Sequence, residues 1–580
     1  MSRTSLFLGI LSLGLGACVH TSPTPSAQES QSHDREPSAA EAFHSLVESF
    51  EESSFRFSPT YATATGVHTY DSKLEDRSSA AVEERIRELK SFQAKLKALD
   101  SNALNQDETI DAKALRSHIQ SELYTLESLR PWEHNPMGFV SLPGAAIDSL
   151  MKRDFAPAKQ RLEAVIARMQ EIPKIYEHAK KQLKNPPKEH TELAIRMAEG
   201  SLTYFSQNVK DWAHEAAGHD PHALQQFQKV NARVLKASRD FARWLKQDLL
   251  PRSKGPYAIG QEAFLTLLRN DEMIDLPMEQ LLAIGEQQLA KDTEAFIATA
   301  REIDPKKSPA AIMRQLSDEH PTREDLIPSV RRTLEESRQF LIDHQIITVP
   351  SEVRPTVAET PLFDRSGTFA SMDTPGSQEK KATEAYYYVT PAESFWTAQH
   401  QDEHLRAYNP YVVSIINIHE AFPGHYLQFL YAPQYPTKVR KIVSANSNSE
   451  GWAHYTEQMM IEQGFGKGNP KYRLAQLQEA LLRDCRFIVG IKLHTAGWTV
   501  EQGTRFFQER GFQEAANARE ETLRGTYNPT YLYYTYGKIE IQKLRDEYLK
   551  KKGGSLRDFH DAFVRQGPLP LPLMREVLLR

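Results

Sequence analysis

Two segments of the chain hold the residue types that carry out hydrolytic metal chemistry. The first reads Ile416-Asn417-Ile418-His419-Glu420-Ala421-Phe422-Pro423-Gly424-His425-Tyr426. Two imidazoles can bind a zinc ion, and a carboxylate beside the first can act as a base. In the HExxH arrangement the histidines stand at i and i+4, on one face of a helix. Here the second histidine stands at i+6. At about 100° per residue, the two would point ~120° apart around an unbroken helix. Pro423 and Gly424 lie between them. Proline interrupts the hydrogen-bond ladder and glycine accepts unusual backbone angles, so a bulge there can swing His425 back into register. Taken alone, the pair is equally compatible with two unrelated histidines at a helix break.

The second segment, Glu450-Gly451-Trp452-Ala453-His454-Tyr455-Thr456-Glu457, begins 25 residues after His425. A two-histidine zinc site takes a carboxylate as third ligand and leaves a fourth position for water. Glu450 is the best placed. Ser447, Asn448 and Ser449 before it offer helix caps, and Gly451 permits two helices to approach, bringing the carboxylate toward the helix of His419. His454 and Glu457 follow on the same face, where they can orient the ligands or contact substrate. Glu457 lies about two turns on, ~10 Å along the axis, too far to share the ion.

With these segments and several others, the chain resembles the bacterial DUF885 family, placed in the broad gluzincin-like zinc-peptidase group. Pro59 through Gly66 to Tyr70-Asp71, Glu359-Thr360-Pro361 and Pro375-Gly376 match its earlier blocks. His419 to His425 is its hallmark, followed by Glu450 to Ala453; Arg524 and Pro529 through Tyr534 to Gly537-Lys538 resemble its last block. The resemblance covers nearly the whole body. It implies a zinc peptidase with His419, His425 and Glu450 on the metal. One position departs: Gly490 stands where the family carries an Asp four residues before a histidine, here His494. His454 falls where the family pattern varies and is not counted as a ligand.

The expected mechanism is that of an open zinc site, where bound zinc lowers the pKa of water from 15.7 to about 7. Glu420 is the expected general base. Tyr534, Tyr531, Arg524 and His494 are the candidate donors to the oxyanion, with a tyrosine preferred because a neutral phenol can donate. Aromatic packing at i, i+3 is the equal alternative for the two tyrosines. Arg524, if it points inward, can pair with a substrate C-terminal carboxylate.

The elements that must position these residues are mostly helices. The chain has 580 residues, 40% hydrophobic and 25% charged, the composition of a globular protein. Glycine is 27 of 580, below the usual ~7%, which favours helix over turn-rich β structure. A net charge of −5 gives no electrostatic support to nucleic-acid binding. Two cysteines, Cys18 and Cys485, exclude a disulfide scaffold and a Cys-rich zinc finger; Cys485 reads as a buried structural thiol. Ile86, Leu89, Phe92, Leu96 and Leu99 recur at helical spacing, as do Leu162, Val165, Ile166, Met169 and Ile172 before Pro173, and Leu281, Leu282, Ile284 and Leu289. Between Val353 and Val389 that period vanishes, and Tyr386-Tyr387-Tyr388-Val389-Thr390 favours a strand. An edge strand there can pair with an extended peptide.

The expected architecture is therefore mainly α: a large helical body in two halves around a deep channel, with a small inserted β element near 353–390. Residues 40–345 form the N-terminal helical region, 346–400 the strand and loop insert, and 401–580 the catalytic helical region. Residues 1–17 read as a signal peptide, with Arg3 and an apolar run from Leu6 to Ala17. Leu15-Gly16-Ala17-Cys18 resembles a lipobox, which implies lipidation of Cys18. Residues 18–39, rich in Pro, Ser, Thr and Gln, read as a disordered tether. The expected address is the outer membrane, facing the periplasm. The expected activity is zinc-dependent cleavage of short oligopeptides. The alternatives are a zinc hydrolase of a non-peptide amide or ester, and a non-catalytic binding lipoprotein.

Overall fold

Leu89, Phe92 and Leu96 turn one apolar stripe inward, and the polar residues between them face water. The same pattern recurs along most of the chain. The computed structural model describes residues 37–365 and 369–580. The signal peptide, Cys18 and most of the tether lie outside the described residues.

The helices that bear on the site are, in order, α1 (Ala39–Phe57), α2 (Ser79–Ala98), α3 (Gln106–Tyr124), α4 (Met137–Met151), α5 (Ala158–Gln182), α6 (Lys188–Ser206), α7 (Pro221–Trp244), α8 (Met278–Ile303) and α9 (Leu326–Asp343). Three short strands follow: β1 (Thr356–Glu359), β2 (Ala370–Asp373) and β3 (Tyr386–Val389). The chain then returns to helix in α10 (Pro410–Glu420), α11 (His425–Leu430), α12 (Asn446–Glu462), α13 (Pro470–Thr495), α14 (Ala515–Tyr527) and α15 (Tyr533–Lys552). The protein is mainly α with a small inserted β element, as its composition and periodicity indicate.

The insert forms one sheet in the order β1-β3-β2, with β3 parallel to β1 and antiparallel to β2. Tyr387 of the middle strand pairs with Val357 on one side and Met372 on the other. Its ring is buried in the same apolar core as Ile415 and Ile418 of α10.

Packing does not follow the division at residue 345. Phe50, Leu89 and Leu115 of α1–α3 share a core with Ile418, Trp452 and Phe563 from the C-terminal region. Helices α4–α7 bury a separate core, including Ile147, Leu162, Phe205 and Val234. α8 packs on α13 through Leu289, Phe296, Leu481 and Ile488. Helix α5 does not stop at Pro173 but runs through it to Gln182, held by the buried stripe that continues through Ile175, Tyr176 and Ala179. Cys485 is buried and unpaired.

Candidate metal centre

Helix α10 starts on an Asn409 cap, whose side chain accepts from the Val412 N–H, with Pro410 in the first turn. It ends at Glu420 and α11 begins at His425, so Ala421 to Gly424 form the break. The Gly424 N–H reaches back to the Ile418 carbonyl at 2.9 Å. A side chain on Gly424 would meet the His419 carbonyl oxygen at 1.7 Å, which is why glycine stands there. Trp452 of α12 donates its indole N–H to the Pro423 carbonyl at 2.9 Å, tying the break to the helix that carries Glu450.

The N-terminus of α12 is not capped by its own serines, which lie inside its first turn. Glu272, from a distant helix, accepts the Asn446 and Ser447 N–H groups at 3.0 and 2.9 Å. Burial, above all, pushes this carboxyl up to about 7. Nor does Gly451 face the helix of His419. It meets Gly537 of α15, where an added Cβ would come within 2.5 Å of the Gly537 Cα. This glycine-on-glycine crossing draws α15, and Tyr534 with it, against the start of α12.

The result brings His419, His425 and Glu450 together, with one ligand atom from each inside a span of 4.8 Å. Glu450 Oε2 lies 3.4 Å from His419 Nε2 and 3.3 Å from His425 Nε2. The edge of a tetrahedron with bonds of ~2.0–2.1 Å is about 3.3–3.4 Å, so these spacings fit zinc. Glu450 Oε2 is buried and has no aligned hydrogen-bond donor, while the Glu450 side chain as a whole is 24% exposed.

Behind His419, Glu457 accepts from Nδ1 at 2.7 Å, and its other oxygen lies 3.0 Å from His454 Nδ1. That contact fixes the His419 tautomer with Nε2 facing Glu450. Burial opposes charge on His419, but Glu450 and Glu457 together hold it up at about 9. Burial would raise Glu450, yet His425 and His419 hold it well below the usual carboxylate range. Glu457 is likewise held low against burial, chiefly by Arg483 and then by His454 and His419. His454 is pushed down to about 3 by burial and by Lys538, which keeps it neutral. Glu420 closes α10 at 9% exposure. Burial first, and then the Glu420 charge, push the Tyr387 phenol well above its ordinary range, placing Glu420 on the side of the sheet.

The four candidate donors separate. The Tyr534 ring stacks 6.3 Å from the His419 ring, and its oxygen accepts from Arg524 Nη2 at 3.0 Å. Tyr531 is fully buried and donates to the Glu521 carbonyl at 3.0 Å; its ring lies where a side chain at Gly490 would project. His494 Nε2 engages the Gly525 carbonyl at 2.7 Å. Tyr534 and Arg524 thus border the cluster, whereas Tyr531 and His494 pin α14 to its neighbours.

Sequence reasoning missed the charges under the site. Arg483 lies 3.3 Å from Glu457, Arg486 forks onto Glu521, and Lys538 lies 3.3 Å from Asp292. Their signal was present: Arg483, Asp484 and Arg486 interrupt an apolar stretch at positions where α13 is buried.

These features define a class: a mainly helical protein with a two-histidine, one-glutamate cluster built across a broken helix. The chain belongs to the family described as bacterial protein of unknown function, DUF885, whose pattern matches residues 59–578. Among solved structures it is similar to a candidate lipoprotein of unknown function from Shewanella oneidensis, with 27% identity and a TM-score of 0.75 over 94% of this chain and 100% of that one. It shares its fold with a candidate lipoprotein from Colwellia psychrerythraea, at 18% identity and a TM-score of 0.79 over 93% and 99% of the two chains. No curated protein matches it.

Proposed function

We propose that this protein is an exported, lipid-anchored zinc hydrolase of the gluzincin type that cuts peptide bonds in short oligopeptides. The observation that supports the reading best is the 3.3 and 3.4 Å spacing of Glu450 Oε2 from the two imidazole nitrogens; Glu420, next in sequence to His419, is a residue that a purely structural site would not need. Zinc in a three-ligand site supplies Lewis acidity and makes water acidic near neutral pH.

Glu420 takes a proton from the attacking water as its oxygen bonds to the peptide carbonyl carbon. It then gives that proton to the amine nitrogen as the C–N bond breaks. Burial keeps the Tyr534 phenol protonated, and because Arg524 is the donor in their bond, the phenol O–H is left free to donate to the carbonyl oxygen as charge develops there. Glu457 holds His419 in place throughout.

The lipobox resemblance at Cys18 and the two lipoprotein-like structures support the membrane anchor. No described helix is long and apolar enough to cross a membrane. Cys18→Ser should abolish membrane attachment. Identical detergent partitioning of both forms, with normal signal cleavage, would refute the anchor.

Metal analysis of purified protein, followed by mass-spectrometric profiling with a mixed peptide library, tests the activity. The reading expects about one zinc per chain and cleaved peptides. Full zinc occupancy in the His419→Ala, His425→Ala double variant, or a zinc-loaded enzyme inert to peptides, would overturn it.

A further inference from the structure

We propose that Arg524 binds the free C-terminal carboxylate of the substrate, which makes the centre an exopeptidase that removes one or two residues from the C-terminus. This rests on the peptidase reading and adds the end preference.

Three guanidinium groups surround the Tyr534 ring. Arg486, Arg483 and Arg524 place their Cζ atoms 5.1, 5.9 and 6.0 Å from its centroid. Two of them have protein carboxylates as partners. Arg483 lies 3.3 Å from Glu457 and also pairs with Glu479, and Arg486 makes two bonds of 2.7 Å to Glu521. The third has none. Among the described residues, no carboxylate comes within 4.0 Å of Arg524, and its single side-chain hydrogen bond is the one from Nη2 to the Tyr534 oxygen.

A guanidinium carries five N–H donors in a fixed fork that matches a carboxylate. Glu521 and Glu450 act on Arg524 only from beyond direct contact, so the rest of its fork is left for a ligand, and a substrate carboxylate fits it. The position suits that role. Tyr534 touches Arg524 on one side, and its ring centroid lies 6.3 Å from that of His419 on the other. One residue of extended chain spans ~3.3–3.6 Å. Arg524 Cζ and the His419 ring are thus at most ~12 Å apart, a gap that the carboxylate contact, one or two residues of chain and the metal position fill together.

The test uses zinc-loaded protein and one library of acetylated pentapeptides, prepared once as free acids and once as C-terminal amides. The wild type should release one or two C-terminal residues from the acids and cut the amides about 100-fold less well in kcat/KM, as expected for losing a charge-assisted pair. Arg524→Gln should bring the acids down to the level of the amides, mainly through KM, with zinc content and melting temperature unchanged. Arg524→Lys should recover part of the preference. Equal cutting of acids and amides by the wild type, or internal cleavage, would overturn the proposal. So would an Arg524→Gln enzyme that still prefers the acids by the wild-type factor, whatever it loses in kcat on both libraries, since Arg524 would then only hold Tyr534. Zinc-loaded wild type that cuts neither library refutes the peptidase reading itself, a result distinct from these.

Discussion

The bundle of α4–α7 and the crossing of α12 with α13 and α15 are both layers of buried helix, but they bury different chemistry. Along α5 the inward stripe is Leu162, Val165, Ile166, Met169 and Ile172, none more than 3% exposed, and its two buried arginines, Arg161 and Arg168, end mostly on backbone carbonyls and hydroxyls. At the crossing, His454, Glu457, Asp484 and Lys538 are all fully buried. Apolar burial stabilises a fold at roughly 25 cal/mol per Å². Buried charges seldom do so even when paired, and breaking one pair costs about 3–5 kcal/mol. The bundle thus has the composition of a stabilising core. The crossing has the composition of a positioning device, in which a charged layer orients His419 while the surrounding apolar cores carry the stability.

Four substitutions test that contrast, from the largest expected effect downward. Glu420→Gln keeps the shape of the side chain but removes the base, so turnover should fall by about 10²–10⁴-fold while zinc content and melting temperature hold. Near-normal turnover would move the base elsewhere. Ile172→Ala in the bundle should do the opposite, costing about 2–5 kcal/mol in denaturant unfolding with turnover per folded molecule unchanged. Loss of activity without loss of stability there would erase the distinction. Gly451→Val drives a side chain into Gly537 and should cost about 1–3 kcal/mol of stability. It should also weaken zinc binding, because the displaced helix carries Glu450. Glu457→Gln should lower zinc affinity by about 10–100-fold, measured by chelator competition. An unchanged affinity would show that His419 needs no support from behind.

The comparison also explains which parts the sequence could reveal. Residue type makes His419, His425 and Glu450 candidates, the family resemblance groups them, and the structure brings one ligand atom of each within 4.8 Å; the histidine spacing alone does not decide it. The geometry of the break was not legible, since it depends on Trp452 reaching Pro423 from another helix. Gly451 announced a close helix crossing, but its partner, Gly537, lies 86 residues away in sequence and carries no mark of pairing. The serines before Glu450 look like caps, and the cap that forms comes from Glu272. Periodicity predicts helices one at a time, so it could not show that α1–α3 would join the core of the C-terminal region. Tyr531 and Tyr534 share one sequence pattern but split in space, one onto a backbone carbonyl and the other beside His419. Only the path of α15 across α12 decides between them.

Diffraction at the zinc edge from crystals of zinc-loaded protein tests the central claim most directly. The account expects one anomalous peak about 2.0–2.2 Å from His419 Nε2, His425 Nε2 and the Glu450 carboxylate. A peak on Glu457 or His454 with Glu450 turned away, or no peak between the two histidines, would contradict it.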